Sequence, residues 1–351
     1  LKRVLICPLD WGLGHATRSI PVIREFQRQG AEVLLACSGP AGVLLQEEFK
    51  TLSYTELPAY DPVYPRRTSM MAAMVLQLPK FMNVVRREHR AVEALVLQQN
   101  ISLVVSDNRY GCYSRSAKSI FITHQISVRL PGPWNFLAFL VNAILHSFIR
   151  KFAEVWVPDQ QGSGLTVPFI PDQVVPFKYI GWLSRFGAAI PSPTKYDVMI
   201  IVSGPEPQRS MFVARALEQA VRSRMKTLLV CGVPHQTFNR VEGLVEVVSH
   251  LSAVGMEEAI NASTWIVARS GYSTVMDLIA LKKRAIFVPT PQQPEQLYLA
   301  KHLMDAGFAF SVEQDQFVLD TAVEKAVGYT GLAVYDANHS LLTSEVRNVL
   351  I

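Results

Sequence analysis

The 351-residue chain reads as an α/β protein made of two doubly wound parallel sheets. Three observations predict this. Short runs of Val, Ile and Leu recur along the chain and alternate with helical patterns, as strands buried on both faces do. Hydrophobic residues make up 49% and charged residues 18%, which supplies two packed cores and excludes disorder. Between the two sets of runs lies LSRFGAAIPSPTKYD (183–197), rich in Pro, Ser and Gly and without periodicity. The expected division is therefore a domain over 1–183, a linker over 184–197, a domain over 198–337, and a C-terminal helix over 338–351 that crosses back to the first domain.

The strand-like runs follow in order. RVLIC (3–7) precedes a helix near 17–29, and AEVLLAC (31–37) follows it. SLVVSD (102–107), SIFITH (119–124) and AEVWVPD (153–159) complete the first half. VMIIVSG (198–204), KTLLVCG (226–232), TWIVARSG (264–271) and RAIFVPT (284–290) build the second. Two such domains are expected to face each other across a central cleft. In sheets of this kind ligands bind beyond the C-terminal ends of the strands. That rule singles out Asp10 to His15, Ser38, Gly39, Asp107, His124, Gln125, Ser203, Gly204, Gly232, Ser270, Gly271, Pro289 and Thr290.

Residues 1–183 carry 19 Lys and Arg against 13 Asp and Glu, and the remainder carries 15 against 16. A basic first half suits an anionic partner. No zinc-finger spacing, ribonucleoprotein motif or basic zipper is present, so nucleic acid is not expected. Cys7, Cys37, Cys112 and Cys231 are scattered without CxxC spacing, which points to a reducing, cytoplasmic setting and to neither zinc nor disulfides. Residues 69–90 are Met-rich and then basic; residues 133–152 are apolar and end in two cations. They read either as domain-packing helices or as an apolar, positively rimmed patch that docks on the inner face of the plasma membrane.

The stretch DWGLGHATRS (10–19) lacks the GK[ST] of a phosphate loop and the third glycine of a dinucleotide fingerprint. No acidic residue closes the second strand, which disfavours a dehydrogenase. Gly12 and Gly14 allow close approach of backbone to a ligand, and His15 stands where a general base can act near neutral pH. The alternative is a ligand-lining or merely structural turn. Asp107 either orients His15 or binds an acceptor. Arg109 is read beside it on the acceptor side, with a loop-stabilising Asx turn as the alternative. Thr17, His124 and Gln125 complete the acceptor-side set. His89, His146, His235, His302 and His339 are assigned no chemistry.

In the second half a strand ends at Arg269, and Ser270 and Gly271 make the turn. Tyr272, Ser273 and Thr274 open a helix whose unpaired N–H groups suit a diphosphate. Asp277 can accept hydrogen bonds from a ribose, and Gln292, Gln293, Glu295 and Gln296 from a hexose. Together these make a nucleotide-sugar site.

The stretch 268–307 resembles the donor-binding region of family 28 glycosyltransferases, which include MurG-like N-acetylglucosaminyltransferases. The shared pattern is SGxxTxx(E/D), a strand ending in Pro, a Gln-containing loop and a helix ending in AG. Asp277 takes the place of the usual Glu, Glu295 that of a second Gln, and Leu299 that of an Asn. Gly12 to His15 resemble the family's N-terminal GGH. VSGPEPQR (202–209) resembles the glycine-rich turn opening the second domain, and THQ (123–125) a segment near the acceptor. The resemblance implies the GT-B fold of two Rossmann-like domains, a metal-independent mechanism and a UDP-activated donor, with N-acetylglucosamine as the expected hexose. An acceptor hydroxyl, lipid-linked or on a glycan, then attacks with inversion, and His15 takes its proton. Ser203, Gly204 and Arg209 join the helix start in stabilising the leaving diphosphate, and His250 and Leu251 pack near the base. A UDP-sugar hydrolase on the same fold and a non-catalytic nucleotide-sugar binder or partner subunit are the competing readings.

Overall fold

A computed structural model describes residues 2–61, 70–127, 136, 138–166, 176–187, 190, 192–233, 236–335 and 340–351, with the side chains of the helix that starts at Met70 described from residue 76 onward. His235, His339, residue 69, residues 133–135 and 137, and the side chains of 70–75 lie outside the described residues. The chain divides into two compact units, one formed by Leu1–Arg185 with Asn338–Ile351, the other by Phe186–Ala337.

Unit 1 holds strands β1 (Arg3–Pro8), β2 (Glu32–Cys37), β3 (Ser53–Glu56), β4 (Leu103–Asp107), β5 (Lys118–Ile122), β6 (Glu154–Val157) and β7 (Phe177–Tyr179). They form one sheet in the order β3-β2-β1-β4-β5-β6-β7, with every pairing parallel. Its helices are α1 (Leu13–Arg28), α2 (Gly39–Glu48), α3 (Met70–Gln99) and α4 (Ala138–Ile149). Val4, Leu5, Ile6 and Cys7 of β1 are all buried, so consecutive residues feed opposite faces of a covered sheet. Phe26 of α1 stacks on Trp156 of β6 with ring centroids 6.3 Å apart, which ties the helix across several strands.

Unit 2 repeats the plan. Strands β8 (Tyr196–Ile201), β9 (Thr227–Val230), β10 (Asn239–Glu242), β11 (Val245–Val248), β12 (Ser263–Ala268), β13 (Arg284–Phe287) and β14 (Phe310–Ser311) run in the order β10-β11-β9-β8-β12-β13-β14. The pairings are parallel except that β10 turns back antiparallel to β11 through Gly243 at φ 64°. Its helices are α5 (Gln208–Arg222), α6 (Ala253–Asn261), α7 (Tyr272–Ala280), α8 (Pro294–Asp305) and α9 (Leu319–Ala326). Phe212, Ala216 and Ala220 form the buried stripe of α5 against this sheet.

Helix α10 (Ser340–Leu350) belongs to unit 1. Leu342, Val346 and Val349 fall on one buried stripe. The Gln29 side-chain amide donates to the Thr343 carbonyl at 2.8 Å, and Lys178 pairs with Glu345 at 2.5 Å. Ser184 and Phe186, within the stretch expected to be a linker, are buried.

Both sheets reverse strand order after their first strand, between β1 and β4 and between β8 and β12. Such a reversal opens a crevice at the carboxyl ends of the strands. Each unit is thus a Rossmann-like doubly wound domain, as expected.

Candidate active site

In unit 1, Pro8 of β1 lies in register with Asp107 of β4. The chain then turns through Asp10 and Gly12 into α1. Gly12 caps that helix at φ 78°, ψ −179°, a conformation reserved in practice for glycine. A Cβ there meets nothing within 4 Å, so the requirement is backbone torsion rather than space. The helix starts four residues earlier than the sequence suggests. Gly14, expected in the turn, therefore stands in the first helical turn, and His15 follows it one residue later.

His15 Nδ1 lies 3.0 Å from Asp107 Oδ1. Arg18, one turn further along α1, donates from Nε to Asp107 Oδ2 at 2.7 Å and from Nη2 to Asp107 Oδ1. The same guanidinium reaches His15 Nδ1 at 2.8 Å and His124 Nδ1 at 2.9 Å. Arg18 and Asp107 are 2% and 1% exposed, whereas the His15 side chain keeps 15%. Burial alone would raise the Asp107 carboxyl, but the Arg18 cation, then His15, hold it well below the usual carboxylate range. Burial pushes the His15 imidazole below its ordinary value, Arg18 adds to this, and Asp107 opposes it. The product is a neutral imidazole beside a locked carboxylate, the form a general base requires.

Of the residues that the sequence singles out, His15, Asp107 and His124 come together around Arg18. Arg18 itself is not singled out by the sequence, because a cation near a helix N-terminus runs against the helix dipole. The available signal was the i, i+3 spacing from His15, which puts both side chains on one face.

Two acceptor-side candidates, Arg109 and Thr17, are buried and bonded within unit 1. Arg109 is fully buried. Its Nε donates to the Pro8 carbonyl at 2.8 Å, Nη1 to Glu88 Oε1 at 2.9 Å, and Nη2 to Ser38 Oγ. Ser38 donates in turn to Asp10 Oδ2 at 2.9 Å, so Arg109 is a pillar under the loop that carries Gly12. Glu88, desolvated in this network, has its carboxyl pushed up to about 7 despite Arg109. Thr17 is also buried, and its hydroxyl donates to the Gly14 carbonyl at 3.0 Å within the helix. Gln125 stays half-buried, with its N–H held by Thr123 Oγ1 at 3.1 Å.

In unit 2, β12 ends at Ala268 and α7 begins at Tyr272, with Gly271 as its cap. Ser273, Thr274 and Asp277 are half-buried on α7. Ser270 is buried and donates to the Gln296 carbonyl at 2.7 Å. Gln296 Oε1 accepts the Thr290 N–H at 2.8 Å, and the Gln293 side chain caps α8 by accepting from Gln296 N at 3.2 Å. These glutamines thus fix the β13–α8 loop through their carbonyl oxygens. Glu295 is half-buried on α8. Gly204 needs its φ of 107°, and a Cβ on it would lie 3.8 Å from Thr290 Oγ1. The turn after β8, with exposed Ser203, therefore sits against the loop after β13. Arg209 is bound by Glu206 through Nε and Nη2 and donates from Nη1 to the Gly232 carbonyl at 2.8 Å. His250 is exposed after β11 and lies 3.0 Å from Ser249 Oγ, with half-buried Leu251 next to it.

Arg269, expected among the donor contacts, is bonded within unit 2. It is 1% exposed, and its guanidinium donates to the carbonyls of Val288, Pro289 and Gln208 and to Gln314 Oε1 at 2.6–3.2 Å. It lies over the Phe212 ring at 4.3 Å. Burial lowers its pKa to about 10, still far above neutrality. Among the described residues, no group of three or more His, Cys, Asp or Glu side chains is placed to hold a metal ion. No described helix is long and apolar enough to cross a membrane.

Residues 212–328 match the family described as Glycosyltransferase family 28 C-terminal domain. The chain is 22% identical over 327 residues to a glycosyltransferase of Methanopyrus kandleri described as uncharacterised, covering 87% of this chain and 92% of that one. Among solved structures it is similar to MurG of Acinetobacter baumannii, with a TM-score of 0.57, 16% identity, and 99% and 94% of the two chains covered. It is similar also to the spinosyn rhamnosyltransferase SpnG, with a TM-score of 0.63, 17% identity and coverage of 99% and 96%. The glycotransferase of kitacinnamycin gives a TM-score of 0.64 at 15% identity, covering 99% and 94%. These likenesses establish the GT-B fold and relate the chain, through unit 2, to family 28 glycosyltransferases.

Proposed function

We propose that the protein is an inverting glycosyltransferase that moves a hexose, N-acetylglucosamine in the first instance, from a UDP-sugar to an acceptor hydroxyl. The observation that carries this reading is the His15–Asp107 pair at the β1/β4 reversal, with Nδ1 facing the carboxylate and the ring partly open to solvent. The acceptor O–H proton passes to His15 Nε2, and the oxygen forms a bond to the anomeric carbon. The bond from that carbon to UDP breaks, and its electron pair leaves on the diphosphate. Asp107 holds the imidazole and offsets the charge it gains; it is not itself protonated. The N-terminus of α7, with Ser273 and Thr274, offsets the charge on the leaving group, and Arg209 adds to it on exchanging Glu206 for phosphate.

A lipid-linked acceptor at a membrane face is supported by α3 and α4. Leu76 and Leu78 on α3, and Phe136, Phe139, Leu140 and Ile144 on and before α4, are exposed. The two helices meet where Phe81 and Phe148 pack on one buried cluster. Exposed Lys80, Arg86, Arg87, Arg150 and Lys151 surround these positions in sequence, which suits an anionic bilayer.

The test incubates the protein with a panel of UDP-sugars and measures UDP release with and without a lipid-linked saccharide. Acceptor-dependent release supports transfer. Release that ignores the acceptor identifies a hydrolase, and tight binding without release identifies a non-catalytic binder.

A further inference from the structure

We propose that Arg18 is a positioning residue that, acting on His124 directly and on His15 through the Asp107 carboxylate it holds, keeps the two rings in opposite tautomers, so that the site pairs a proton acceptor with an N–H donor. This rests on the transferase reading above and assigns His124 its part in it. A guanidinium only donates and an ionised carboxylate only accepts. His124 Nδ1 lies 2.9 Å from Arg18 Nη1. That nitrogen must therefore accept, and in a neutral ring the proton resides on Nε2. His15 Nδ1 faces two groups, Asp107 Oδ1 at 3.0 Å and Arg18 Nη2 at 2.8 Å. Arg18 Nη2 already donates to that same Asp107 oxygen. With the anion in contact, the His15 proton belongs on Nδ1, which leaves Nε2 bare. The titratable and charged groups that bear on His15 are Arg18 on its own helix, Asp107 at the end of β4 and His124 after β5.

The opposite tautomers suit a hydroxyl nucleophile. A hydroxyl has one proton and two lone pairs. Accepting a hydrogen bond from His124 Nε2 occupies one lone pair, donating to His15 Nε2 directs the proton, and the second lone pair remains for attack. Arg18 thus sets the His124 end directly, and Asp107, held by Arg18, sets the His15 end. A lysine could supply the charge but not the fork that spans Asp107 and His124.

The test has two readouts. Long-range proton–nitrogen correlation spectra of the labelled, unliganded protein near neutral pH report each ring's tautomer. The expected result is Nε2–H for His124 and Nδ1–H for His15. A proton on His124 Nδ1, or one tautomer shared by both rings, overturns the proposal. In Arg18→Lys, His124 is expected to become a mixture of tautomers; an unchanged spectrum in the folded variant overturns it. The second readout is kinetic. Gln places an amide N–H near the position of Nε2, and Asn places one near Nδ1. His124→Gln is expected to stay within about tenfold of wild-type kcat/KM, and His124→Asn to lose about 10²-fold. Equal losses contradict the donor role. The spectra need no turnover, so a protein that turns over no UDP-sugar sinks the transferase reading while the tautomers still decide this one.

Discussion

Asp107→Asn replaces a buried carboxylate with an amide of nearly the same size and leaves Arg18 without its counter-charge. Asp107 accepts from Arg18 Nε and Nη2 and from His15 Nδ1, and both members of the ion pair are at most 2% exposed. Removing one partner of a buried pair costs about 3–5 kcal/mol. In a unit of this size each kcal/mol shifts Tm by about 2–4 °C, so the unit 1 transition should fall by roughly 6–20 °C. The pH dependence follows from the direction of the shift. The folded-state pKa of Asp107 is depressed, so its stabilisation is fully present above the unfolded value of about 3.9 and is lost as pH falls through the folded value. The gap between wild type and variant should therefore persist from neutral pH to about 4 and close only below it. Calorimetry over this range reads it directly. A gap that closes between pH 7 and 5, or none at pH 7, refutes the claim that Asp107 is held ionised by Arg18.

Other consequences follow from the same geometry. The acid limb of kcat/KM in wild type should fall below the ordinary imidazole value of 6.5, since burial and Arg18 keep His15 neutral. Arg18→Gln should move that limb upward, and a limb that stays in place contradicts the coupling. Gly12→Ala forces a side chain into torsions reserved for glycine and should cost about 1–3 kcal/mol in urea unfolding, with UDP-sugar turnover reduced as the start of α1 shifts. Arg269→Met should lower the stability of unit 2 by several kcal/mol, because four acceptors, three of them in buried hydrogen bonds, lose their donor. Its affinity for UDP should remain near wild type where the unit is still folded, and a selective loss of UDP affinity would return Arg269 to the donor site.

How much of this was legible in the sequence depended on what each residue packs against. The strand runs were readable because strands covered on both faces, such as Val4 to Cys7, are apolar without alternation. Edge strands were not: Ser53–Glu56, Phe177–Tyr179 and Asn239–Glu242 carry exposed polar residues and short runs. The start of α1 was misplaced because Gly12 and Gly14 look alike in sequence, whereas only Gly12 has positive φ. The three arginines show the sharpest limit. Arg18, Arg109 and Arg269 are among the largest fully buried side chains, and nothing in composition marks a buried arginine. Their meaning lies in which carbonyls and carboxylates the topology delivers to them. His15 and Asp107, 92 residues apart, were nameable because the carboxyl ends of strands beside the order reversal are where doubly wound sheets place their chemistry.

The central claim is that His15 takes the acceptor proton. The most direct measurement is UDP release by His15→Ala and His15→Gln, compared with wild type under saturating UDP-sugar and acceptor, with UDP-sugar affinity measured alongside. The account predicts a fall in kcat of about 10²–10⁴-fold with donor affinity unchanged. Full turnover by either variant would contradict it.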